Sequence, residues 1–575
     1  MQDFLYFYCK NLAFMIRYKS RKQLTIEEFK TPFERNLAKD NRWVKLAALI
    51  PWDELARVYY SKMSQDRGAP CIDARIVIGA LIVKHKQGLD DRETIEYIRE
   101  NPYVQYFLGF SNFINEPPFD RSLFTRIRER MGIKEFDSLN VIVIKKYKEL
   151  NNGGKGSFKK KSSGSCSSGG NSSGGGNTNS MSNSSRWVDS LSGSVEGGSG
   201  KSKGFGKGGA NMEKGEVEAV AGSNSELPKN KGKLILDATV CEQQISYPTD
   251  LSLLNKSREE TERLIDILHR LGCSKKKPRT YRRIAKASYL RIAKKRRKGK
   301  SELRKGIKQQ LNYLRRNIKS IHKQLDNFTG EGFPLSYRDQ KLFWVIQEVY
   351  RQQLEMYKER RHRCSDRIVN LYQPHVRPIV RGKEGVDVEF GAKLGVSMED
   401  GFVRINTFSW NAYNESSDLK KQVESYKELH GYYPEVVIAD SIYGSRENRS
   451  WLKRRNIRFS GKALGRPSKT ELSAYQKRKQ RDERRMRNQI EGKFGQGKNG
   501  YNLNKIRARQ PRTSESWISC IFFVMNLVRL YKIIYETLGN FLFAFFKLVI
   551  IWSILDKDTI FGSEIFKYRA LKLKY

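Results

Sequence analysis

Residues 162–185 read SSGSCSSGGNSSGGGNTNSMSNSS, and no single continuous fold runs through such a stretch. Glycine and serine carry too little apolar surface to offset the entropy of ordering them, so 151–231 reads as a disordered linker. About eighty residues of this kind have a root-mean-square span of roughly 50 Å, from about 5–6 Å times the square root of the length. The pattern therefore predicts two loosely tethered parts, each free to grip its own stretch of a partner. The divisions expected are an N-terminal extension (1–39), a helical domain (40–150), the linker, a second domain (232–535) holding a helical insertion (255–375), and an apolar tail (536–575).

The partner is suggested by charge. Lys and Arg number 109 against 62 Asp and Glu, a formal net charge of +47. Such an excess repels itself in a compact state unless a polyanion neutralises it, and nucleic acid is the usual one. Anionic membrane and ribosomal RNA satisfy the same demand. The seven cysteines are scattered without a CxxC pair, which argues against a disulfide framework and a structural zinc site. The six histidines show no HxH or HxxxH spacing. A bound metal would then take carboxylate ligands, the donor set of a hard cation such as Mg2+.

Two segments mimic membrane elements. Residues 1–17 are apolar but lack the basic start and small-residue cleavage site of a signal peptide, and Met15 offers an alternative start. Phe541 to Leu555, interrupted by Lys547, is shorter than the roughly 20 residues a spanning helix needs. It reads as a buried or interface helix.

From Asp40 to Leu150 the apolar spacing is helical. Ala74 to Val83 is apolar almost all round and belongs inside a bundle. Phe119 to Met131 reads as a helix capped by Asp120 or Ser122 that exposes Arg121, Arg126, Arg128 and Arg130. A compact helical domain with one basic helix has the shape of a helix-turn-helix DNA reader, with Arg121 and Arg126 as contacts. A packing domain whose arginines are merely solvated fits equally well.

After the linker, LILDATV (234–240) reads as a buried strand. The insertion is helical and very basic: between Lys275 and Lys305 there are sixteen Lys or Arg and one acid, Glu302. A solvated face would mix signs, so phosphate binding through Lys294, Lys295, Arg296 and Arg297 is the better reading. Strands follow at Glu389–Ser397 and Phe402–Trp410, joined by a hairpin with Asp400–Gly401 at its tip. Then come a helix (Asp418–His430), a strand (Glu435–Ala439), a helix (Arg446–Arg455), a strand (Ile457–Ser460) and a basic helix from Glu471. Three antiparallel strands, a helix, a parallel strand, a helix, a strand and a last helix form the order of an α/β ribonuclease H-like domain, here preceded by an all-α N-terminal domain.

Asp237 and Asp440 each end a hydrophobic strand, where side chains of neighbouring strands converge on one crevice. Two such carboxylates repel unless a cation lies between them. In the last helix, Arg487, Glu491 and Lys498 fall within about 40° of one another, which suits a site holding metal and phosphate together. Taken singly, an Asp after a strand usually caps a turn, and Arg487–Glu491 is an ordinary one-turn ion pair.

The stretches DATVCEQQISYPTDLSLLN, VIADSIYGSRENRSWL and RNQIEGKFGQGKNGY resemble, in order, the three catalytic regions of bacterial DDE transposases of insertion-sequence families four and five. That group carries a Tyr, two residues, Arg, three residues, Glu, six residues, Lys signature. Arg487, Glu491 and Lys498 match its last three members, while Arg484 stands where the family has Tyr. Residues 40–140, notably NPYVQYFLGF, resemble the InsH-type N-terminal domain of the same transposases. The resemblance implies a metal-dependent enzyme that cleaves and transfers DNA strands. Asp237, Asp440 and Glu491 would be the catalytic acids and hold two Mg2+ (or Mn2+) ions, and Arg487, Lys498 and Tyr443 would position the phosphate. It also implies double-stranded DNA partners (terminal inverted repeats and target), a homodimer in the synaptic complex, no small-molecule cofactor, and a cytoplasmic, nucleoid-associated location. Asn411, Asn414 and Glu415, after the third strand, are expected to contact DNA near the site. A hydrolytic nuclease of the same fold, a domesticated DNA-binding relative and a structural RNA-binding protein are the competing readings.

Overall fold

Helix α1 (Arg42–Leu49) begins where the side chain of Asn41 accepts a hydrogen bond from the Trp43 amide. α2 (Trp52–Tyr60), α3 (Ala74–Gln87), α4 (Asp91–Glu100), α5 (Pro102–Leu108), α6 (Leu123–Arg130) and α7 (Ile133–Gly153) follow. Each boundary has a local cause. Asp90 and Glu93 form a reciprocal capping box on α4, and Pro102 starts α5 where its missing N–H costs nothing. α6 begins later than the sequence suggests because Asp120 accepts from the Ser122 amide in a preceding turn. The computed structural model describes residues 37–63, 71–153, 229–383, 386–461, 464–465 and 473–555, with backbone alone over 152–153, 381–383, 386–387 and 536–555. The expectations for the N-terminal extension, for nearly all of the Gly/Ser-rich linker and for residues 556–575 lie outside the described residues.

A six-stranded mixed sheet follows. β1 (Lys233–Glu242) pairs antiparallel with β3 (Val386–Glu399), which pairs antiparallel with β4 (Phe402–Ser409). On its other side β1 pairs parallel with β5 (Val436–Ile438), and β5 with β6 (Arg458–Phe459). The antiparallel strand β2 (Arg377–Lys383), against the first part of β3, is not foreseen in the sequence. Asp400 (φ 50°) and Gly401 (φ 82°) both take positive φ, the requirement of the hairpin turn that matches strand twist. Gly391 permits the closest approach in the sheet, since a Cβ there would lie 1.8 Å from the Cys241 carbonyl oxygen.

Alternation along β1 sends its residues to two cores. Leu234 and Leu236 pack with Leu419, Val423 and Tyr426 of α12 (Leu419–His430) and with Trp451 and Leu452 of α13 (Arg446–Lys453). Ile235 and Cys241 face the opposite side, toward Ile490 and Phe494 of α14 (Ala474–Gly500) and the apolar start of α15 (Pro511–Leu555). Between β1 and β2, helices α8 (Asp250–Arg270), α9 (Arg282–Ala293), α10 (Lys300–Asp326) and α11 (Tyr337–Glu359) form a helical insertion with its own apolar clusters.

The expected loose tethering does not describe how the helices at the N-terminal end meet the sheet. Buried residues of α1–α7, β1, β3, β5, α14 and α15 form one continuous core. Arg404 on β4 holds Asp137 of α7 through two bonds of 3.0 and 2.8 Å, and buried Asn526 of α15 bonds both Asn140 and Val403. Lys84, fully buried on α3, and Arg128 of α6 both grip Asp91 and both lie over the Trp517 ring of α15. The physical reason is the composition of α15, which is apolar around most of its circumference and so needs cover from two sides. Residues 511–535 are long and apolar enough to cross a membrane, yet 72% of the apolar window is buried inside the protein, as in a core helix.

Candidate active site

Lys233, Leu234 and Ile235 of β1 pair in parallel with Val436, Val437 and Ile438 of β5. Asp237 follows two residues on within β1, and Asp440 two residues past the last strand residue of β5. β5 ends at Ile438, and the Asp440 side chain turns to accept from the Ser441 amide, opening a short 3-10 turn. α14 crosses the same face, bringing Glu491 over β1.

Arg487, one turn before Glu491, joins these groups. Its guanidinium lies 3.3 Å from Asp440 Oδ1 and 3.3 Å from Glu491 Oε1. Both acids are about half exposed, which leaves them open to solvent and substrate. Asp237 is set deeper. Burial pushes its carboxyl up to about 6, with repulsion from Glu415 and Glu491 adding to the rise. The Ala238 N–H, donating at 2.8 Å, and the Arg487 charge oppose it. Carboxylates that repel one another around a single shared cation have the chemistry of a hard-cation site, all oxygen and partly open to water. As the side chains stand, no three acid, His or Cys groups among the described residues are close enough to hold an ion, and Arg487 pairs with both Asp440 and Glu491.

Two expected phosphate-positioning residues lie elsewhere. Tyr443 is fully buried beneath the site, and its hydroxyl has no hydrogen-bond partner. Burial, and then the nearby Glu415 and Asp237 charges, hold its phenol far above the usual range, and with no exposed surface it does not reach a backbone phosphate as placed. The 3-10 turn after Asp440 rolls it into the core behind Asp237. Lys498 is helical, since α14 runs to Gly500, but it bonds Glu389 of β3 at 3.2 Å. It stands about 10.5 Å along the helix axis from Glu491. Arg487 alone of the three remains in the site.

Glu415 is the acid that sequence reasoning left at the margin. Lys393 holds it at 3.0 Å, and it leads the charges that disfavour ionised Asp237. Its position after the third antiparallel strand was the available signal. Asn414 instead caps the local turn, accepting from the Ser416 amide at 3.1 Å. Asn411 is exposed, with its amide bonded to the Ser409 hydroxyl. Beside the acids a cleft of about 440 Å³ is lined by Asp440, Ser441, Glu483, Arg484, Arg487 and Asn488. Sequence reading gave no role to Glu483, which is buried and paired with Arg458 at 2.5 Å.

Away from the site, Arg121 and Arg126 are exposed, whereas Arg128 is not: both arms of its guanidinium are bonded to Asp91 at 2.9 and 2.7 Å. Lys294, Lys295, Arg296 and Arg297 are all exposed at the end of α9, and Lys295 pairs with Glu302 at 2.8 Å.

Comparison with known proteins finds two matching families. Residues 31–130 match a transposase domain family and residues 437–528 match a transposase DDE domain family. The second span includes Asp440, Arg487, Glu491 and Lys498 and excludes Asp237. A relative from Rhizobium meliloti, the uncharacterized protein ORF8 in the nfe locus, is 37% identical over 99 residues. That overlap is 17% of this chain, which spans about half (46%) of the relative's length. No solved structure matches.

Proposed function

Because this chain belongs to the bacterial insertion-sequence transposases, we propose that it cleaves double-stranded DNA at the ends of a mobile element and joins the freed strand to a target. The sheet order β4–β3–β1–β5–β6 supports a ribonuclease H-like catalytic domain. The observation that carries the reading is Arg487 bridging Asp440 and Glu491, with Glu491 and Arg487 both close enough to Asp237 to act on its carboxyl.

Asp237, Asp440 and Glu491 would hold one or two Mg2+ or Mn2+ ions once Arg487 swings out of their midst. The chemistry supplied by bound ions of this kind is acidification of the attacking water or 3′-hydroxyl and neutralisation of the leaving oxygen. The chain's own residues do the rest. Asp237, half sunk between β3 and α14, fixes the site to the rigid sheet. Arg487, released from its two carboxylates, bonds the non-bridging phosphate oxygens and offsets charge as it develops there. Arg121 and Arg126 on the helical module, and Lys294 to Arg297 on the insertion, grip the backbone on either side. Two copies would hold the two ends of the element, working in the cytoplasm on the nucleoid.

The test is Asp237→Asn. This variant should lose Mg2+-dependent strand cleavage while binding duplex DNA nearly as tightly as the parent. Full cleavage by Asp237→Asn would remove the acid from the mechanism. Parent protein that cuts element ends yet never yields joined product would reduce the activity to a hydrolytic nuclease.

A further inference from the structure

The first four turns of α14 stand out from the body. From Ser473 to Arg485 every residue is exposed except Glu483. A helix that is polar all round is not held by an apolar stripe and needs another source of order. The Ser473–Gln476 capping box fixes its start, and the Glu483–Arg458 pair fixes its root. The segment from Lys477 to Arg485 carries Lys477, Arg478, Lys479, Arg481, Arg484 and Arg485, with Asp482 as the other acid, 3.9 Å from Arg485. Arg478, Lys479, Arg481 and Arg484 form no ion pair among the described residues. Lys477, Arg481 and Arg485 follow one another at one-turn spacing, where like charges repel.

Their directions are not random. Measured around the helix from Lys477, Arg484, Arg481, Arg485 and Arg478 lie at about −20°, 40°, 80° and 100°. Glu491 and Arg487 lie at about −40° and −80° on the same side. Lys479 points away, at about 200°, and the exposed ring of Tyr475 lies at about 160°. A basic track thus leads out of the acidic site along one face for about 21 Å, at 1.5 Å per residue.

We propose that this arm is a phosphate rail for duplex DNA, gripping the strand that continues past the phosphate held at Asp440 and Glu491. The inference rests on the reading of the site as DNA-cleaving. The commitment to duplex DNA comes from shape and charge together. The track is straight, predominantly basic and continuous with the site, and each DNA strand offers one phosphate about every 3.4 Å along the axis. With Tyr475 turned away, this face offers no ring on which unpaired bases would stack, as single-strand binders use, which favours contact with the phosphates of a duplex.

The experiment uses the full chain, a duplex of arbitrary sequence, and EDTA to stop cleavage, with binding followed by fluorescence anisotropy across a salt series. Arg478→Ala/Arg481→Ala keeps a good helix former at both positions. It should lower the slope of log K against log salt by roughly 1.8, about 0.9 per lost contact. Lys479→Ala, on the opposite face, should leave the slope unchanged. An unchanged slope in the double variant overturns the rail, as does an equal drop in Lys479→Ala. Loss of binding to phosphatidylglycerol vesicles with DNA binding intact would also overturn it, assigning the arm to membrane. Parent protein that binds duplex with no salt dependence would defeat the DNA reading itself. Parent that binds and cuts while the double variant matches its slope defeats only the rail.

Discussion

Arg487 pairs with Asp440 and Glu491, two of the acids proposed above as metal ligands, and replacing it with methionine tests that proposal. The guanidinium spans Asp440 and Glu491 at 3.3 Å each, and the three side chains are 33%, 54% and 52% exposed. Exposed pairs of this kind contribute about 0.2–1 kcal/mol each. Two of them oppose an entering ion by roughly 0.4–2 kcal/mol, or about two- to thirtyfold in affinity. Arg487→Met keeps a flexible apolar stem and removes the competing charge. Mn2+ affinity, read by electron paramagnetic resonance of the free ion, should therefore rise two- to thirtyfold over the parent. Strand cleavage at saturating Mn2+ should fall, because the phosphate loses its guanidinium partner. Weaker or unchanged Mn2+ binding in the variant would refute the displacement argument. Failure of the parent and the variant alike to bind Mn2+ would refute the metal site altogether.

Two further outcomes follow from buried charge. Asp91→Ala strips Lys84, wholly buried, and Arg128, 8% exposed, of their shared carboxylate. It should cost about 3–5 kcal/mol in urea unfolding. Arg128→Ala leaves the 2.6 Å Lys84–Asp91 pair intact and should cost clearly less, so the reverse ranking would contradict the shared-carboxylate account. His375 packs edge-on to Trp410, and its Nε2 is buried without a partner. Burial, and then the neighbouring Arg377 and Lys341 charges, lower its pKa to about 4. The folded state thus binds fewer protons than the unfolded chain between about pH 6.5 and 4, and stability falls across that window as pH drops. The loss is about 3 kcal/mol at 1.36 kcal/mol per pH unit. His375→Phe should flatten that part of the stability–pH curve, and an unaltered curve would exclude the histidine as its source.

What could be read in advance was what local chemistry decides. An apolar run before an aspartate puts Asp440 just past β5 as expected, whereas Asp237 lies inside β1, which runs on to Glu242 instead of ending there. Asp400–Gly401 between two strand patterns marks the hairpin. The families named by the comparisons agree with the resemblance carried by the three catalytic stretches. What stayed hidden depends on contacts distant in sequence. Lys498 finds Glu389, 109 residues away, rather than its helical neighbour Glu491. Tyr443 turns inward because a 3-10 turn, not an extended loop, follows Asp440. The burial of Arg128, by contrast, is legible in the local spacing. Phe124, Ile127 and Arg128 share one face at helical spacing, so a helix that buries the first two carries the arginine in with them. Nothing in residues 40–150 alone tells that α15, nearly four hundred positions later, supplies their missing cover.

That shared cover changes what a long intervening segment means. Whatever lies between Gly153 and Lys229 leaves one body and returns to it, so its length does not set how far apart two modules can reach. Doubling such a connection adds only about 0.6 kcal/mol of closure entropy. A gene of this kind can gain or shed codons there, drifting toward low complexity, while the two halves it joins stay fastened by their own side chains.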